Sequence, residues 1–157
     1  MKTQIGGTVI QNPRDTIQSW NFSPVKIFLR EREGVDEETI VSLDKEYKRY
    51  MEIVAQNRHL KLPVSPPVDQ FWHTHILFTR DYTNFSHQAC GNYIHHQPAI
   101  TETERLALAP AYKVILKIYE EMFGFPDEEF WPRDCICSSC TGSWDPGIYN
   151  VSDLLTA

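Results

Sequence analysis

Apolar residues recur every three or four positions along much of this chain, the spacing that gives a helix one buried face. The clearest run is Ile40, Leu43, Tyr47, Tyr50, Met51 and Val54, opened by Asp36 as a cap before Glu37-Glu38 and broken by Leu62-Pro63-Val64. Ser23-Pro24 carries the cap and first-turn proline of a shorter helix extending through about Arg32. Ser65-Pro66-Pro67 starts another. Its broad stripe of Val68, Phe71, Trp72, His75, Thr79 and Tyr82 predicts a helix to about Gln88. Thr101-x-x-Glu104 is a capping box. The helix behind it carries Tyr112, Ile115, Tyr119 and Met122 and ends at Gly124-Phe125-Pro126, with a kink or restart expected at Pro110.

Periodicity is weak elsewhere. Residues 1–22 are polar with turn formers and read as a loose leader; Gly91 to Pro98 reads as an irregular loop. Residues 132–157 read as a loose, cysteine-containing tail. The pattern predicts a small all-α single domain, a bundle of about four helices over residues 23–131.

Composition narrows the function classes. Fifteen Lys and Arg against 21 Asp and Glu give a net charge of −6, which works against nucleic-acid binding, because neutralising phosphates needs clustered basic residues. Apolar runs such as Val114-Ile115-Leu116 are far short of the roughly 20 residues of a membrane span. The first seven residues lack the apolar core of a signal peptide, so a cytoplasmic protein with reduced thiols is expected.

Histidine is unevenly spread: His73, His75, His87, His95 and His96 crowd the middle of the chain. At about 100° per residue, Asp69 and His73 stack on one face of the third predicted helix, where a carboxylate and an imidazole can chelate one ion. His75 lies near the centre of the apolar stripe, so it points into the core beneath such a site unless the helix is distorted. The plainer alternative is a dipole-complementing Asp69, a solvated His73 and a hydrogen-bonded core His75. His95-His96 lies in the loop returning from this helix and can supply a further ligand, only one of the two facing the ion. The set would then be two histidines and one carboxylate with open positions, which suits non-haem Fe(II) and can also hold catalytic Zn²⁺.

Val68-Asp69, Trp72-His73-Thr74-His75-Ile76-Leu77, Thr79-Arg80, Tyr82, Phe85, Gly91 and His95-His96-Gln97-Pro98 together resemble the glycine-rich domain-containing protein-like family, once catalogued as a domain of unknown function. The likeness spans roughly residues 35–131, through Phe123-Gly124, Pro126 and Trp131. It implies no established reaction. Aligned through the glycine, His96 rather than His95 takes the family's position. Ser86 stands where that family commonly has a cysteine, which excludes a thiolate ligand there.

Cys135-x-Cys137-x-x-Cys140 is a second, weaker signal: with Cys90 it makes a possible four-sulfur zinc site, and otherwise a mobile tail with reduced thiols. Two functions follow. One is a metalloenzyme acting on a small molecule or peptide. In it Asp69, His73 and His96 hold Fe(II) or Zn²⁺, His75 is a supporting group or added ligand, Tyr82 donates to substrate and Trp72 walls the pocket. The other is a non-catalytic module that binds a protein partner, with its histidines in a structural ion site or buried network. No phosphate-binding glycine loop or serine-nucleophile motif is present.

Overall fold

The computed structural model describes residues 12–134 and 140–143. It is mostly helical, as the apolar period predicts, with six α-helices among the described residues: α1 (Pro13–Ser19), α2 (Ser23–Glu33), α3 (Glu37–Gln56), α4 (Pro66–Leu77), α5 (Thr79–Phe85) and α6 (Glu102–Phe123). Helix starts follow the local chemistry. Asp36 accepts from the Thr39 amide at 2.9 Å, and Thr101 and Glu104 form the reciprocal capping box. No described helix is long and apolar enough to cross a membrane.

Five expectations are corrected. The stretch read as a loose leader contains α1, started by Asn12 and Pro13, which buries Ile17 against α3. The third helix does not run unbroken to Gln88. It bends at Phe78 (φ −86°, ψ 64°), resumes as α5, and ends in a π-helical turn over Ser86–Cys90. Gly91, at φ 83°, then reverses the chain in a conformation that side chains rarely adopt. The irregular loop contains a strand, β2 (His95–Pro98), in a small antiparallel sheet with β1 (Leu62–Pro63) and β3 (Cys140–Ser143). The order is β1-β3-β2, so part of the expected tail supplies the middle strand, with His96 opposite Gly142. Pro110 does not interrupt α6; it lies on the exposed side, where solvent can satisfy the carbonyl left without a donor.

The core is rich in aromatic rings, with Tyr47, Tyr50, Phe71, Trp72, Tyr119 and Trp131 fully buried. One buried carboxylate, Glu46, organises part of it. Glu46 Oε2 accepts from the Tyr119 hydroxyl at 2.6 Å and from Trp131 Nε1 at 3.0 Å, while Arg49 reaches both Glu46 and Tyr119. Every partner is a donor, which is what makes a buried charge tolerable.

Candidate metal centre

Asp69 sits in the first turn of α4, where the exposed amides and the helix dipole favour a carboxylate. His73 lies one turn on, and its Nε2 is 3.5 Å from Asp69 Oδ2. From the facing strand, His96 brings its Nε2 to 2.8 Å from Asp69 Oδ1. One ligand atom from each of the three residues lies within 4.8 Å of the others. The helix and the strand therefore contribute two ligands and one.

Two donors each about 2.1 Å from one ion stand roughly 3.0 Å apart at a right angle and roughly 3.4 Å apart at a tetrahedral angle. The Asp69 separations are of this order, 2.8 Å from Oδ1 to His96 and 3.5 Å from Oδ2 to His73, each measured from a different carboxylate oxygen. The three residues thus form a candidate site for one metal ion, with His73 its outermost member at 56% side-chain exposure. Asp69 and His96 are far more enclosed, each side chain being 11% exposed. The cluster is therefore enclosed at Asp69 and His96 and faces solvent at His73.

The residues beneath this cluster fix its inner face. The Trp72 ring meets the His96 ring nearly edge-on, at 4.2 Å between centroids. Trp72 Nε1 donates to the Tyr82 hydroxyl at 3.0 Å, and that hydroxyl donates to the Ile94 carbonyl at 2.6 Å. Tyr82 is buried, and burial pushes its phenol well above the ordinary tyrosine range. Its hydroxyl is thus engaged with the protein, while substrate donation was the role read from sequence.

His75 lies outside the ligand cluster. It is fully buried, with Nδ1 2.8 Å from the Tyr47 hydroxyl and Nε2 2.8 Å from Asp81 Oδ2. Asp81 accepts on Nε2–H, so Nδ1 accepts from Tyr47. Desolvation pushes the imidazole down to about 4, against a smaller opposing effect of Asp81, so it is neutral near pH 7. His95 alternates with His96 along β2 and packs on Tyr93 at 5.1 Å. Cys90 is a free, buried thiol pushed up to about 12 by burial. Cys135 and Cys137 lie outside the described residues, as does the side chain of Cys140.

Sequence reasoning did not find Asp81 or Tyr47. In a straight helix, residues six apart point roughly 120° away from each other. The bend at Phe78 is what carries Asp81 back to His75, and Tyr47 comes from another helix altogether.

No curated protein and no solved structure shows a significant match to this chain. A family profile does match residues 13–109, from the start of α1 into α6 and across the whole Asp69, His73 and His96 cluster, and the chain accordingly belongs to the UCP032817-like family.

Proposed function

We propose that this protein is a small metalloenzyme holding one divalent ion on Asp69, His73 and His96, with Fe(II) favoured and Zn²⁺ the alternative, and acting on a small-molecule or peptide substrate. The observation that carries the reading is the convergence of two imidazoles and one carboxylate from separate elements, enclosed behind and open in front. Two histidines and a carboxylate with open positions match the preference of non-haem Fe(II). When bound, Fe(II) would supply oxidation chemistry with O₂, and Zn²⁺ would supply Lewis acidity for hydrolysis.

The chain's own residues do the rest. Asp69 and His96 fix the inner side, and Trp72 excludes water behind His96. His73 supplies the outer ligand from the exposed face of α4. The likeness of roughly residues 35–131 to the glycine-rich domain-containing protein-like family belongs to this proposal, as does a cytoplasmic location.

Nitric oxide tests for the open position. Fe(II)-loaded protein exposed to it without oxygen is expected to give the high-spin iron–nitrosyl EPR signal, absent from His96→Ala. Tightly bound iron that gives no such signal contradicts an enzyme site.

A second reading is a non-catalytic interaction module, and one observation favours it. The 2.8 Å contact of His96 with Asp69 already ties β2 to α4 without an ion. The acidic run Asp36-Glu37-Glu38, which could face a protein partner, gives it less support, because Asp36 caps α3 and Glu37 pairs with Arg30. Under this reading Asp69→Asn weakens the fold and leaves metal content unchanged.

A further inference from the structure

We infer that the Tyr82 hydroxyl is a positioning group for the metal ligand His96, acting through Trp72 and through the Ile94 carbonyl. The inference rests on the metal-site reading above and adds to it a residue that touches none of the ligands.

Three observations carry it. The His96 ring is oriented by packing as well as by Asp69: Trp72 stands against it at 4.2 Å and 79°, and His73 at 4.5 Å and 61°. His73 is exposed, so Trp72 is the fixed wall. Trp72 in turn is held by one hydrogen bond from its indole Nε1 to the Tyr82 hydroxyl. The same hydroxyl donates to the carbonyl of Ile94, two residues before His96, where the chain turns into β2. Tyr82 therefore connects the indole that orients the ligand ring to the backbone that delivers it. With its proton on Ile94 and its lone pair taking the indole hydrogen, it sets both at once.

Loss of a group hydrogen-bonded directly to a ligating histidine weakens metal binding by about 10- to 100-fold, and Tyr82, one contact further out, belongs at the lower end of that range. Tyr82→Phe keeps the ring in the core and removes only the shared hydroxyl. The affinity for Co²⁺, a spectroscopic stand-in for either metal, is expected to fall about tenfold. The visible ligand-field bands should shift, because His96 would sit in a wider range of orientations. Trp72→Phe, which keeps a ring near His96 and loses the indole hydrogen, should weaken binding in the same direction. Tyr119→Phe is the comparison for lost stability alone: it removes a buried hydroxyl from Glu46, outside the hydrogen bonds that join Trp72, Tyr82 and Ile94, and should leave Co²⁺ affinity and spectrum unchanged.

Measurements belong at a temperature where circular dichroism shows every variant folded. Tyr82→Phe that binds Co²⁺ within twofold of the wild type, with an unchanged spectrum, overturns the inference. If His96→Ala still loses the metal in that case, the metal-site reading stands without it. Wild-type protein that takes up no Co²⁺ overturns both.

Discussion

His73 and His75 are two positions apart on one helix and meet opposite surroundings. The first is more than half exposed beside a carboxylate; the second is sealed among Phe22, Tyr47, Tyr82 and Phe85 rings. The buried one links protonation to stability. Its folded value of about 4 lies below the 6.5 of an unfolded chain, so the unfolded state binds the proton more tightly. The stabilisation is complete above pH 6.5 and is lost as pH falls toward 4, by roughly 3 kcal/mol in all. Urea unfolding of chelator-treated protein at several pH values should show this decline, with a shallower slope in His75→Gln. Equal slopes would mean that His75 does not carry the linkage. The face assignment was legible from residue spacing alone, because four positions bring side chains together on a helix and two do not. The identity of His75's partners was not, because one depends on a bend and the other on a different helix.

Elements with a long apolar period were legible for a simple reason. α3 repeats its buried face over 20 residues with a cap at the front, so the signal accumulates. α1 spans 7 residues with a single core aliphatic, Ile17, too short for a period to emerge. β2 reads His-His-Gln-Pro, with no apolar alternation, and its partner strand lies more than 40 residues away in sequence. What makes it a strand is pairing, which spacing along the chain does not encode.

The join of α3 to α6 depends on a similar long-range device. Glu46→Ala would strand the Trp131 indole hydrogen and take the acceptor from the Tyr119 hydroxyl, both inside the core. The expected cost is about 3 kcal/mol, with Glu46→Gln costing less because it keeps one acceptor oxygen. Equilibrium unfolding of both variants checks this; a loss under about 1 kcal/mol in Glu46→Ala would show that the network contributes little.

At the scale of the whole molecule, the site exists because the chain closes on itself. α4 presents Asp69 and His73, and the π-helical turn with Gly91 reverses the backbone. β2 then returns His96 with β3 paired along its edge. Sequence could assemble the donors as a set. Their closure needed the three-stranded sheet, whose middle strand comes from a segment that composition marks as a tail. The same closure makes His73 the informative candidate ligand to remove, because its side chain is the exposed one of the three. The deciding measurement is elemental mass spectrometry of untagged protein purified without oxygen, wild type beside His73→Ala, with helical circular dichroism on both. The account predicts about one equivalent of iron or zinc in the wild type and its loss in a variant that remains folded. No metal in either protein after Fe(II) and Zn²⁺ are offered, or equal metal in both, would contradict it.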